Sequence, residues 1–94
     1  MRFLVHLETG LPPDMPDQER SALLDAERTR GAELVRDGTI EHLWRLPGRL
    51  ANVGVWRAPG PDELHTAISS LPLWRWMTVR VEPLATHPLD PSRT

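Results

Sequence analysis

Segments with the hydrophobic period of a β-strand and segments with that of an α-helix follow one another along the chain, and their order constrains the fold more than any other feature. Phe3, Val5 and Leu7 alternate with polar residues, the period of two of a half-buried strand. This strand is followed by a helical segment, two strand-like segments, a second helical segment and a last alternating stretch. This β-α-β-β-α-β order predicts an α+β, ferredoxin-like sandwich, with one antiparallel sheet and both helices on one of its faces.

Turn and cap residues predict where these elements begin and end. The first helix runs from about Met15 to Arg36, with Asp14 as N-cap, Pro16 in the first turn and Gly38 just past the end. The other predicted elements are two strands over about 39–46 and 50–57, joined by a "PGR" turn, a helix over about 61–70, and a strand through Met77, Val79 and Val81. We predict a single domain over residues 1–94, in which "LPLWRW" is a connector and an irregular tail starts at about residue 84.

Composition excludes several classes of function. A chain of 94 residues builds one core, and 11 basic against 13 acidic residues leave no positive charge for a nucleic acid. The absence of cysteine excludes a disulfide framework, a thiolate zinc site and a cysteine nucleophile. The alternating N-terminus resembles no signal peptide, and no apolar run is long enough to span a membrane. We therefore expect a cytoplasmic protein with neither a nucleic acid nor a membrane as partner.

The predicted architecture leaves one sheet face without helices. Trp and Leu side chains on that face would form a larger apolar patch than a monomer usually exposes. Sheet-to-sheet dimerisation is the expected way to cover the patch.

The first predicted helix contains a carboxylate within its apolar side. At about 100° per residue, one stripe is formed by Leu23, Leu24, Leu34 and Val35. Glu27 lies within this stripe, and Gly31, one turn later, leaves room that a small ligand could fill. Enclosure would raise the pKa of Glu27 and suit it to general acid–base catalysis, whereas the alternative is a solvated helical glutamate.

The predicted hairpin supplies further candidates for a site. Alternation puts His42, Trp44 and Leu46 on one face of its first strand, and Leu43 and Arg45 on the face that should approach the helices. There the Arg45 guanidinium could bind a substrate carboxylate through two hydrogen bonds, the alternative being a surface salt bridge.

The second strand of the hairpin separates Asn52, Gly54 and Trp56 from the opposite face of Ala51, Val53 and Val55. Asn52 could donate a hydrogen bond to an oxygen that gains negative charge, although an asparagine at a strand edge can also be purely structural.

No metal site and no serine hydrolase site are predicted. The histidines lack the spacing that places two ligands on one helix face, and the serines lack a G-x-S-x-G setting. There is also no glycine-rich phosphate loop.

Several segments occur together in a characteristic order: "LPPDM", "DGTIEHLWRLPG", "LANVGV", "LPLWRWM" and a late "HP". In this combination the whole chain resembles the muconolactone Δ-isomerase family. The resemblance implies homodimers whose sheets pair into a dimeric α+β barrel, and a larger ring, commonly a homodecamer. It also implies a role in catechol degradation by the β-ketoadipate pathway, in which (+)-muconolactone becomes 3-oxoadipate enol-lactone without a cofactor.

The resemblance also implies roles for the candidate residues. Glu27 matches the family's catalytic carboxylate and would shuttle the proton. His42 or Asn52 would donate to the lactone carbonyl, and Arg45 would hold the acetate side chain of the substrate. Trp44 and Trp56 would exclude water and shape the cavity.

Two departures from the family pattern keep alternatives open. Gly54 stands where relatives often have a hydroxyl or another small polar residue, and Leu50 stands where an aromatic is common, so the pocket could be wider. A related subgroup eliminates chloride from 5-chloromuconolactone with the same kind of proton removal. A cofactor-independent oxygenase and a non-catalytic binding module on the same fold are the remaining alternatives.

Overall fold

The computed structural model of the protein describes residues 1–92 and contains the predicted succession of elements. These are β1 (Arg2–Thr9), α1 (Asp17–Arg36), β2 (Ile40–Arg45), β3 (Ala51–Arg57), α2 (Pro61–Ser69) and β4 (Met77–Leu84). The ferredoxin-like α+β prediction is confirmed. A short 3-10 helix, Trp74–Trp76, forms inside the segment that was expected to be a plain connector. No helix within residues 1–92 is both long and apolar enough to cross a membrane.

The four strands form one antiparallel sheet in the order β2-β3-β1-β4. Phe3 lies opposite Trp56 and Val5 opposite Gly54. Directly opposed residues project from the same face of a sheet. This face meets the helices in one core, whose members from outside β1 and β3 include Leu34, Ile40, Leu64, Ile68 and Leu71. We call it the helix-facing side, and the other side the open face.

The start of α1 differs from the prediction. Pro16 has extended backbone angles, φ −56° and ψ 141°, and is itself the N-cap, so the helix begins at Asp17. Met15 precedes it in a turn closed by a hydrogen bond from its backbone N to the Pro12 carbonyl, and its side chain is buried. Asp14 is therefore not the cap. The helix therefore starts two residues later than predicted, and the Met15 side chain is buried outside it.

The buried side of α1 is narrower than the predicted stripe. Within Asp17–Arg36, Leu34 is the one fully buried residue, while Leu23 and Glu27 are half-buried. Leu24 and Val35 are exposed, which makes that part of the prediction wrong. Both lie about 100° or more around the helix from Leu23, beyond the line along which α1 meets the sheet.

Gly54 allows β2 and β3 to approach each other closely. The pairing of these strands shifts register between Ile40 and His42. A Cβ on Gly54 would lie 2.5 Å from the backbone O of His42 and 3.0 Å from Cδ1 of Leu43. A side chain at this position would therefore require the backbone of β2 to move, which gives Gly54 a structural reason of its own.

We expect Gly54→Ala to lower the free energy of unfolding by about 1–3 kcal/mol, because the new Cβ must displace a backbone carbonyl. Gly31→Ala is the matched control, since a Cβ at Gly31 would meet nothing within 4 Å and alanine is the better helix former. That control should gain about 0.5–1 kcal/mol. Urea unfolding at one protein concentration measures both, and equal stabilities would contradict this reading of Gly54.

The open face and the C-terminal segment are the least covered parts of the chain. His42 and Trp44 project from the open face with stacked rings, whose centroids are 5.7 Å apart, and Trp44 is 53% exposed. β4 ends at Leu84, and residues 85–92 are exposed. Both features leave apolar surface that the single chain does not bury.

Candidate active site

Glu27 is held on the inner side of α1 by a backbone group. Its Oε1 accepts a hydrogen bond of 3.0 Å from the backbone N–H of Leu73, a buried residue just before the 3-10 helix. Within residues 1–92, this is the one hydrogen bond that the Glu27 carboxylate accepts. The contact fixes the orientation of the carboxylate and ties two segments 46 residues apart.

Partial burial changes the proton affinity of this carboxylate. Desolvation raises the pKa of Glu27 above its ordinary value of 4.5, and the hydrogen bond from Leu73 opposes part of that rise. A raised pKa brings a carboxylate closer to neutral pH, where it can both take up and release a proton.

The position of Glu27 along α1 follows from its spacing from Leu34. The helix returns antiparallel to β1 and packs through Leu34 into the core that contains Phe3 and Trp56. Glu27 precedes Leu34 by seven residues, about 10 Å along a helix, and about three residues of a strand span that distance. Glu27 therefore lies about 10 Å along α1 from the residue that anchors the helix in the core, toward the N-terminal half of the helix.

Two polar atoms on β3 are buried without a partner among residues 1–92. They are Oδ1 of Asn52 and Nε1 of Trp56, and both residues project from the helix-facing side. Trp56 Nε1 lies 3.4 Å from the position that a Cβ of Gly54 would take. Because buried polar atoms almost always find a hydrogen bond, this donor and this acceptor leave two hydrogen bonds that residues 1–92 do not complete.

Arg45 belongs to the same side of the sheet. It lies opposite Asn52 in the pairing of β2 with β3, and its side chain is exposed. Arg45 takes part in none of the ion pairs found within residues 1–92, so its guanidinium is available to an anionic ligand.

His42 and Trp44 lie on the other side. They are opposite Val55 and Val53, so both project from the open face. The structure thus brings Glu27 to the same side of the sheet as Arg45, Asn52 and Trp56, whereas His42 and Trp44 cannot reach it within one chain. Strand alternation is the reason, since a change of face would require a change of register.

A second group of ionisable side chains also lies on the open face. His6 Nε2 is 3.1 Å from the Arg80 guanidinium, and both residues are close to Glu82. In residues 1–92, no three His, Asp or Glu side chains are grouped so that they could hold a metal ion. This cluster is separated from Glu27 by the sheet.

Sequence reasoning missed the Leu73 N–H. Every residue except proline has a backbone donor, so no residue type signals that one of them will meet a distant carboxylate. Pro72 and the apolar "LPL" run indicate only that the chain turns and is buried there.

Fold and site together define a class of protein. A ferredoxin-like subunit holds a half-buried carboxylate on the helix-facing side of its sheet, the side that also carries a guanidinium and two buried polar atoms without partners among residues 1–92, as suits proton transfer on a small anionic molecule. The comparison with family models then makes the assignment specific, because the model described as muconolactone delta-isomerase matches residues 1–90. The chain belongs to the muconolactone delta-isomerase family.

Individual relatives agree with this assignment. The chain is 41% identical over 88 residues to muconolactone Delta-isomerase 2 of Acinetobacter lwoffii, covering 93% of this chain and 91% of that protein. It is 36% identical over 88 residues to the muconolactone Delta-isomerase of Cupriavidus pinatubonensis, covering 94% and 96%. A crystal structure of muconolactone isomerase superposes with a TM-score of 0.92 at 34% identity, covering 100% of this chain and 98% of the other.

Proposed function

We propose that this protein is a muconolactone Δ-isomerase, which converts (+)-muconolactone to 3-oxoadipate enol-lactone in the catechol branch of the β-ketoadipate pathway. The observation that carries the proposal is the half-buried Glu27 carboxylate on the sheet-facing side of α1, in a chain that matches this family over residues 1–90. The reaction moves one hydrogen and one double bond, so substrate and product are isomers and no redox partner is consumed.

Glu27 acts as the proton carrier. Its carboxylate removes a carbon-bound proton of the lactone, and the electron pair left behind spreads as a dienolate onto the lactone carbonyl. The Glu27 carboxyl group then returns the proton to another carbon on the same face of the ring. Its raised pKa serves both steps, because a stronger base takes the proton more readily and a weak acid still gives it back. The Leu73 N–H keeps the carboxylate oriented throughout.

Arg45 is suited to the other end of the substrate. Muconolactone carries an acetate group, and a guanidinium binds a carboxylate through two parallel hydrogen bonds. Arg45 is on the helix-facing side of β2, in register with Asn52, and forms no ion pair within residues 1–92. This arrangement supports a role in orienting the lactone ring toward Glu27.

The proposal includes self-association. The open face carries Trp44 at 53% exposure and the valines of β3, and pairing of two such faces would close a dimeric barrel. A homodecamer built from these dimers, in the cytoplasm, is the assembly that we expect. Sedimentation equilibrium tests it, since a monomer of 10.7 kDa would contradict the proposal.

The alternatives make different predictions. A non-catalytic module would leave Glu27 solvated, which its partial burial and its bond to Leu73 argue against. Elimination of chloride from 5-chloromuconolactone would use the same carboxylate, and a cofactor-independent oxygenase would consume dioxygen.

An ultraviolet assay of the purified protein with muconolactone and its 5-chloro analogue, run in parallel in an oxygen electrode, tests the proposal. We expect turnover of muconolactone without oxygen uptake. Chloride release at a higher kcat/KM would instead assign the dehalogenase, and no reaction with either lactone would overturn the proposed function.

A further inference from the structure

We propose that the indole N–H of Trp56 is a catalytic hydrogen-bond donor, which binds the lactone carbonyl oxygen as it gains negative charge. The inference rests on the proposed function and adds a chemical role for a residue that the family resemblance assigns only to the wall of the cavity. It follows from three observations: an unpaired donor, the direction of that donor, and the chemistry of the substrate.

The donor is buried and has no partner in the part of the chain that the structure describes, residues 1–92. Trp56 is 1% exposed, and its ring packs in the core with Phe3 and Ile40. Its Nε1 finds no hydrogen-bond acceptor within residues 1–92. A buried indole normally satisfies this group, so a missing acceptor in the protein indicates an acceptor from elsewhere.

The N–H edge of the ring lies beside Gly54. Nε1 is 3.4 Å from the position that a Cβ of Gly54 would take, on the helix-facing side. The backbone O of His42 keeps a side chain out of that position. Glu27 lies on the same, helix-facing side of the sheet, held by the backbone N–H of Leu73. Donor and carboxylate thus border one region between helix and sheet.

The substrate supplies the complementary atoms. At neutral pH, muconolactone offers hydrogen-bond acceptors only, the carboxylate and the lactone oxygens. An indole N–H can only donate, and the packed ring cannot turn away, so the donor is already in place before charge develops. Of the two donors that the family resemblance suggests for this oxygen, His42 and Asn52, His42 projects from the open face.

Asn52 contributes a second buried polar atom to this region. Its Oδ1 is also buried and unpaired among residues 1–92, on the opposite side of Gly54 from Trp56. Rotation of the amide would present its NH2 to the same ligand. Trp56 and Asn52 therefore lie on either side of Gly54, with Trp56 as the fixed donor.

Trp56→Phe tests the donor, because phenylalanine keeps an aromatic ring in the core and lacks the N–H. We expect kcat for muconolactone to fall by about 100-fold, as for loss of one oxyanion donor. KM should change by less than about threefold, since the bond strengthens mainly in the transition state. Trp74→Phe, at a residue that is 40% exposed and whose ring packs edge-on against His65, is the matched control and should keep kcat within about twofold. An unchanged kcat in folded Trp56→Phe would overturn the inference.

A measurement on the unaltered protein keeps the test decisive if Trp56→Phe is poorly folded. The probe is the saturated analogue of muconolactone, a butyrolactone acetate that cannot isomerise, at a concentration that halves turnover. In ¹H–¹⁵N spectra, the indole signal of Trp56 should move downfield while that of Trp74 stays in place. A Trp56 signal that does not move under inhibition would overturn the inference and leave the isomerase proposal standing. Failure of the wild type to turn over either lactone would instead remove the proposed function, and the inference with it.

Discussion

Replacing Glu27 by glutamine is expected to lower kcat for muconolactone by about 10²–10⁴-fold without loss of the fold. An amide does not take up a proton in the accessible pH range, so general acid–base catalysis is lost. Glutamine nevertheless keeps the length of the side chain and an Oε1 that can accept the hydrogen bond from the Leu73 N–H. The variant thus separates proton transfer from the structural contact. Steady-state ultraviolet kinetics measure the loss.

Glu27→Ala is the companion variant. It removes the proton carrier and also leaves the buried Leu73 N–H without its acceptor, so it should lose both activity and about 1–3 kcal/mol of unfolding free energy. Glu27→Gln should unfold at nearly the same urea concentration as the wild type. More than a tenth of wild-type kcat in Glu27→Gln would exclude Glu27 as the proton carrier.

Leu34→Ala is expected to lower the free energy of unfolding by about 2–5 kcal/mol. Truncation of a fully buried leucine removes its burial and leaves a cavity that the surroundings only partly fill. Leu34 is 1% exposed and is the one fully buried residue within Asp17–Arg36, so α1 depends on it for its attachment to the core. Equilibrium urea unfolding at a fixed protein concentration gives the value.

Leu24→Ala is the control on the same helix. Leu24 is 38% exposed, so the same change of atoms should cost much less. Because Leu34 also sets the level of Glu27 over the sheet, kcat should fall in Leu34→Ala and stay near wild type in Leu24→Ala. Equal losses of stability in the two variants would contradict the assignment of Leu34 as the anchor of α1.

Alternation along the strands made the fold predictable. Phe3, Val5 and Leu7 show on which face β1 is buried, and the turn residues around Gly38 and Gly48 place the ends of α1 and the hairpin within about two residues. Both glycines have positive φ, 83° and 75°, as such turns require. Turn residues were sufficient to predict the ends of these elements, because tertiary packing favours the same ends.

Tertiary packing decided the rest. The predicted apolar stripe on α1 is wider than the side of the helix that is buried, since Leu24 and Val35 are exposed. The angular positions of residues on a helix do not show how narrow its line of contact with a sheet is. Pro16 is the N-cap, and Met15 before it lies outside the helix with its side chain buried. Neither outcome can be seen in the residues of the helix alone.

Some residues of the candidate site could be predicted from the sequence and others could not. Glu27 could be identified because a carboxylate on an apolar stripe is an anomaly that sequence shows. The unpaired Trp56 N–H could not be identified, because a missing partner depends on every neighbouring element at once. His42 and Trp44 share one face of β2, as alternation predicts, and that face is turned away from the helices and from Glu27, so their roles at the substrate followed from the family resemblance alone.

The most direct test of the account is to titrate the Glu27 carboxyl carbon by ¹³C NMR and to measure the pH profile of kcat/KM for muconolactone on the same protein. As a base, Glu27 must be ionised in the free enzyme, so kcat/KM should fall as the pH decreases through the pKa of this group. Burial raises that pKa above 4.5, and we therefore predict that both curves share one midpoint above 4.5. A Glu27 that titrates at or below 4.5, or an acid limb with a different midpoint, would contradict the account.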